Sequence, residues 1–143
     1  MAFIHLRAIR LLGLSAAIAL ASSLACSDAT APGQTPSTFT IEAANGAYPP
    51  SPPTVHVTAS AVTVDGTLIT ADPCFTVSGN ASTSHDTLVV HVVGTDKNVG
   101  CVQSLGMWHY VLTVSPRPSG ADAIRVEHNN GKGSSVVLEQ PLP

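Results

Sequence analysis

The chain has 143 residues, room for one domain, and 44% of them are hydrophobic against 10% charged, which excludes a charge-rich disordered polymer. Its formal charge of −3 becomes −5 once the first 25 residues are set aside, because Arg7 and Arg10 lie there and four Lys/Arg (Lys97, Arg117, Arg125, Lys132) then face nine Asp/Glu. Such a mildly acidic chain with scattered cations has no footprint for a phosphate backbone, which excludes nucleic acid as a partner.

Residues 1–25 have the three parts of an export signal. His5, Arg7 and Arg10 make a positive start, Leu11 to Ala21 is apolar, and Ser22-Ser23-Leu24-Ala25 closes with small residues before Cys26. A membrane-spanning helix needs about 20 apolar residues, more than this run supplies. The closing Ser22-Ser23-Leu24-Ala25-Cys26 resembles the lipobox of bacterial lipoproteins, with Ala25-Cys26 fitting the pattern and Ser23 standing where the family usually has leucine. That resemblance implies cleavage before Cys26, acylation of Cys26, and attachment to a membrane through the N-terminal lipid. Ser27 directly after the cysteine resembles lipoproteins sorted to an outer membrane. Ser23-Leu24-Ala25 also fits ordinary secretory cleavage, which leaves a secreted protein as the alternative.

The chain has three cysteines, and an odd thiol is a liability in an oxidising compartment. If Cys26 is acylated, as the lipobox resemblance implies, Cys74 and Cys101 remain to pair as a disulfide. Closing the loop between them stabilises a domain by roughly 3–4 kcal/mol on the chain-entropy estimate. Two free redox cysteines are the other reading, but the Cys-x-x-Cys spacing is missing.

Residues 27–37 carry no large apolar side chain and are expected to be a flexible tether, so that the organisation is signal 1–25, acylated cysteine and tether 26–37, and a domain over 38–143. Thr38 to Glu42 alternates as a first strand. Tyr48-Pro49-Pro50-Ser51-Pro52-Pro53 reads as a stiff connection along a sheet edge, because proline removes ladder donors. Thr54 to Ala59 is a second strand. Val62-Thr63-Val64, Asp65-Gly66, Thr67-Leu68-Ile69 reads as a tight hairpin, since Asp-Gly suits a type I′ turn. Phe75 to Ser78 follows, then strands over 85–94, 107–115, 121–128 and 134–139, the last two joined by a turn over 128–133. Aromatic residues are only 4% of the chain, so the core is built from Val, Leu, Ile and Ala. The class is an all-β, antiparallel sandwich of about seven or eight short strands.

The strands over 87–93 and 107–114 each have one strongly apolar face. If they pair, the register that joins Leu88, Val90 and Val92 to Trp108, Tyr110 and Leu112 places His91 and His109 together on the opposite face. Those two histidines are the candidate metal ligands, since imidazole suits zinc and copper, but two ligands do not close a site. No Gly-x-Ser-x-Gly elbow and no His-Glu-x-x-His helix motif is present, so neither a catalytic residue nor a cofactor is assigned.

Pro73-Cys74, Leu88-x-Val90-x-Val92, Cys101, Tyr110-x-Leu112-x-Val114 and Pro116-x-Pro118-x-Gly120 together resemble the immunoglobulin-like sandwich modules of bacterial envelope lipoproteins. The resemblance covers about residues 73–140 and implies a fold and a location. The expectation for function is a non-catalytic, membrane-anchored accessory, adhesion or binding module whose partner is an envelope protein or glycan. The alternatives are a small histidine-based metal-binding lipoprotein and a secreted inhibitor or hydrolase accessory module.

Overall fold

The computed structural model describes residues 34–43 and 51–143. The signal segment, Cys26, most of the tether and Tyr48-Pro49-Pro50 lie outside the described residues. Nine strands follow one another with no helix among the described residues: β1 (Gln34–Thr35), β2 (Ser37–Ala43), β3 (Thr54–Val57), β4 (Val62–Thr70), β5 (Phe75–Ser84), β6 (Thr87–Asp96), β7 (Gly106–Val114), β8 (Ala123–Asn129) and β9 (Ser134–Pro141). No helix there is long and apolar enough to cross a membrane.

The strands form a five-stranded sheet in the order β1-β5-β6-β8-β9 and a four-stranded sheet in the order β2-β7-β4-β3. The all-β sandwich expected from the sequence is the observed architecture, with nine strands. Neighbours run antiparallel except for β6 and β8, which are parallel. The exception follows from connectivity: the chain leaves β6, crosses to the other sheet as β7, and returns to lie beside β6 as β8.

Period-two alternation fixes the core. Val62, Val64 and Leu68 of β4 and Tyr110, Leu112 and Val114 of β7 face Leu88, Val90 and Val92 of β6 and Ile124 and Val126 of β8, and all are essentially buried. Leu88, Val90 and Val92 of β6 and Tyr110 and Leu112 of β7 are on the inward faces read from the sequence. Their arrangement corrects the expected pairing: β6 and β7 belong to different sheets and oppose each other through the core instead of sharing a ladder. Alternation assigns a face to each strand, and two apolar faces bury each other as well across a sandwich as side by side.

Three local expectations also change. Asp65-Gly66 is not a turn, because β4 runs straight through it with Asp65 opposite Val111 and Gly66 opposite Tyr110. The glycine is needed there because a Cβ would run into the Tyr110 side chain. The strand expected to end at Ser78 continues to Ser84, and His85-Asp86 forms the two-residue turn into β6, with His85 at a positive φ of 54°. At the N-terminal side, Gln34–Thr35 pairs with Ala81 and Ser82 of β5, and Ser37 pairs with Val114, so these residues of the compositional tether are held in the sheets.

Register also gives the sandwich two distinct ends. Gln34 lies opposite Ser82 and Thr35 opposite Ala81, so the chain enters at the end that holds the His85-Asp86 turn. The connections 71–74, 97–105 and 130–133 all lie at the other end, since Thr70 is opposite Gly106, Phe75 opposite Asp96, and Val93 beside Asn129. Strands of this length separate the two ends by about 30 Å.

Candidate functional site

The distal end is organised by the disulfide. Cys74 and Cys101 are bonded, with Cα atoms 6.0 Å apart, and this is the pair expected from the cysteine count. Asp72 shapes the turn ahead of Cys74: its Oδ1 accepts a hydrogen bond from the Cys74 amide at 2.8 Å. The Asp72 carbonyl accepts one from Thr70 Oγ1 at 2.6 Å, and Trp108 Nε1 in turn donates to Thr70 Oγ1 at 3.0 Å. The opposite cysteine is carried by the 97–105 connection. The disulfide holds that connection to the sandwich, and at its start the Lys97 amide donates to the Cys74 carbonyl at 3.1 Å and the Asn98 amide to Asp96 Oδ1 at 2.8 Å. Its aliphatic side chains point away from the core: Val99, Val102 and Leu105 are 57%, 67% and 70% exposed. An apolar loop tip held out by a covalent clamp is a shape suited to contact with another surface.

A crevice opens between the two sheets in the same half of the molecule. Its walls come from Pro52 and Pro53, Thr67 and Ile69 of β4, His128 of β8 and Val137 of β9, and it holds about 350 Å³, with an adjoining space of about 200 Å³ that reaches Asn130 and Ser135. Three consecutive residues, Thr67, Leu68 and Ile69, line the adjoining space. Alternate side chains of a strand point to opposite faces, so the wall here is the backbone edge of β4. Among the described residues the ladder between β3 and β4 stops at the prolines. β3 pairs with β4 only from Val62 to Asp65, and continuing that register puts Pro53 and Pro52 opposite Gly66 and Thr67, where neither has an amide to donate. On the facing wall, Val126 pairs with Leu138 and Glu127 with Val136, so a bulge leaves Val137 without an opposite residue. Bulges re-aim side chains in this way, and Val137 lines the crevice.

At the back of the crevice lies a polar pair. Tyr110 is fully buried and its Oη lies 2.8 Å from Nε2 of His128, which is 9% exposed. Burial first, and the charge of Asp65 second, push the Tyr110 phenol above its ordinary range, so it keeps its proton. Burial also lowers the His128 imidazole to about 4, so it is neutral near pH 7. The hydroxyl donates to Nε2, because the reverse arrangement would leave a buried hydroxyl proton without an acceptor. The imidazole proton then sits on Nδ1. Among the described residues no sealed side-chain nitrogen or oxygen lacks a partner, so Nδ1 is not sealed from solvent, and His128 lines the crevice. Among the described residues no charged side chain lines either space.

The two candidate metal ligands are not brought together. His91 and His109 lie on the outer faces of different sheets, which follows from the corrected placement of β6 and β7. Each stands beside a carboxylate, His91 Nδ1 at 3.2 Å from Glu127 and His109 Nε2 at 3.0 Å from Asp65. Asp72, Cys74 and Cys101 bring potential ligand atoms within 4.8 Å of one another, but both sulfurs are used in the disulfide.

Sequence reasoning did not find His128 or the crevice, whose walls come from segments far apart in the chain. Pro52-Pro53 was the available signal, since a proline pair beside a strand implies an unpaired stretch on its neighbour. The aliphatic run Val99-x-x-Val102-x-x-Leu105 surrounds Cys101 between β6 and β7, and no alternating pattern in the sequence set it apart from a strand. No family model matches the chain, and comparisons with curated proteins and with solved structures return no similar protein.

Proposed function

We propose that the protein is a non-catalytic, lipid-anchored module of the bacterial cell envelope that holds its sandwich off a membrane and offers the far end to a partner. The observation that carries this reading is the polarity of the molecule. The chain enters at the His85-Asp86 end, while the clamped aliphatic loop and the open crevice lie in the opposite half. The sequence supports the anchor through the Leu24-Ala25-Cys26 ending and the even cysteine count that acylation of Cys26 leaves behind. An outer membrane is the proposed location, on the strength of Ser27. A lipid at one end and contact surfaces at the other make a tethered binding module; the partner is an envelope protein or glycan.

Intact-mass measurement of the mature protein tests the anchor. The expected product begins at Cys26 and carries diacylglycerol, and globomycin leaves it uncleaved; a lipid-free mature chain released to the medium overturns the anchor. Photo-crosslinking in intact cells tests the polarity. A crosslinker at Val102 is expected to give a discrete adduct and one at Ser60, at the opposite end, none; equal yields at both overturn the polarity.

A further inference from the structure

We propose that Asn130 is a site of covalent self-modification. The Asn130-Gly131 peptide in the turn between β8 and β9 closes to a succinimide, releases ammonia and reopens as aspartate or isoaspartate, which places a carboxylate at the far end of the sandwich. This goes beyond the binding-module reading and does not rest on it. Asparagine before glycine is the sequence in which this ring closure meets least resistance, because the attacking amide carries no side chain beside it. Asn130 and Gly131 are both exposed to the water the reaction needs, and Gly131 has a positive φ of 86°. The other asparagines among the described residues, Asn80, Asn98 and Asn129, precede Ala81, Val99 and Asn130. The Asn45-Gly46 pair lies outside the described residues.

Two hydrogen bonds hold the reacting groups. The Gly131 amide, the nucleophile, donates to Asn129 Oδ1 at 3.0 Å, and the Lys132 amide donates to Asn130 Oδ1 at 3.2 Å. The second is an Asx turn, which folds the Asn130 carboxamide back along its own chain. The acceptor on the Gly131 N–H raises electron density on the nitrogen that attacks. In the step itself, hydroxide takes the Gly131 amide proton and the nitrogen bonds to Asn130 Cγ. Negative charge then develops on Asn130 Oδ1, at which the Lys132 amide is already aimed, as an oxyanion donor is in acyl transfer. The Cγ–Nδ2 bond breaks, ammonia leaves with a proton from water, which restores the hydroxide, and a water molecule opens the ring at either carbonyl. One water is consumed and one ammonia released, with no change of oxidation state. Asn130 lines the space of about 200 Å³ beside the crevice together with His128 and Ser135. The product therefore brings a carboxylate into a lining that holds no charged side chain among the described residues.

The test incubates the mature protein at pH 8.5 and 37 °C and follows each asparagine by peptide mapping, where conversion to carboxylate adds one mass unit and the isoaspartate product elutes apart from aspartate. Asn130 is expected to convert at least as fast in the folded protein as in the same protein unfolded in urea. Asn80, Asn98 and Asn129 are expected to lag by about tenfold or more, since each precedes a residue with a side chain. Asn129→Ala is expected to slow Asn130 by about threefold or more, the contribution of one hydrogen bond. A slower reaction in the folded parent than in the unfolded one overturns the inference, because the turn then protects the pair. So does an unchanged or faster rate in Asn129→Ala when its urea midpoint matches the parent. Should that variant fail to fold, the comparison of folded with unfolded parent decides alone.

Discussion

Gly66 of β4 lies directly against the side chain of Tyr110: a Cβ built on Gly66 would stand 2.5 Å from Tyr110 Oη and 2.8 Å from Cζ. The hydroxyl is the far end of its side chain, but it has nowhere to go, because the tyrosine is fully buried and bonded to His128. Gly66→Ala is therefore expected to destabilise the domain by roughly 1–3 kcal/mol through overpacking. Urea unfolding reads the loss. Tyr110→Phe in the same chain is expected to recover part of it by removing the atom in closest conflict, and a neutral Gly66→Ala would contradict the packing described.

The same pair shows what was legible in the sequence. The inward faces of β6 and β7 follow from alternation alone: Leu88, Val90, Val92, Tyr110 and Leu112 are buried as read, and Trp108 on the same face is partly buried. Asp65-Gly66 misleads because a local reading sees only the glycine's freedom in a turn, whereas its use here is to admit a ring from the neighbouring strand. The pairing of β6 with β7 misleads because a face pattern carries no information about which strand lies alongside. The crevice was invisible because its walls are assembled by topology: two prolines, one strand edge, one bulge and a histidine that looks like any other on an alternating strand.

The disulfide stabilises the domain by restricting the unfolded chain. The cysteines are 27 residues apart, and the chain-entropy estimate for such a loop is about 3–4 kcal/mol. The Cys74→Ser/Cys101→Ser double variant is expected to lose stability of that order in urea unfolding. Wild-type protein treated with a reductant should converge on the variant, and equal midpoints with and without reductant would exclude the staple as a source of stability.

The aliphatic tip of the 97–105 connection lies outside the core. Val102→Asp and Leu105→Asp change side chains that are 67% and 70% exposed, and surface substitutions of this kind usually stay within about 0.5 kcal/mol. Thermal unfolding of the double variant is expected to match the parent, while the Val102-directed contact with a partner is lost. A large fall in stability would mean that the tip packs on the domain.

His128 makes stability depend on pH in a definite direction. Its imidazole titrates near 6.5 in the unfolded chain, and burial lowers it to about 4 in the folded one. Between these values the unfolded state binds a proton that the folded state refuses. The contribution is therefore complete above pH 6.5, drains away as the pH falls toward 4, and is gone below it. At about 1.4 kcal/mol for each pH unit of separation, the loss is at most about 3 kcal/mol. His128→Gln removes the titration and keeps an acceptor for the Tyr110 hydroxyl. Urea unfolding at pH 7, 5.5 and 4 is expected to show the parent losing more stability than the variant across that window. Parallel slopes for the two proteins would show that His128 protonates as readily in the folded state as in the unfolded, and would contradict its burial against Tyr110.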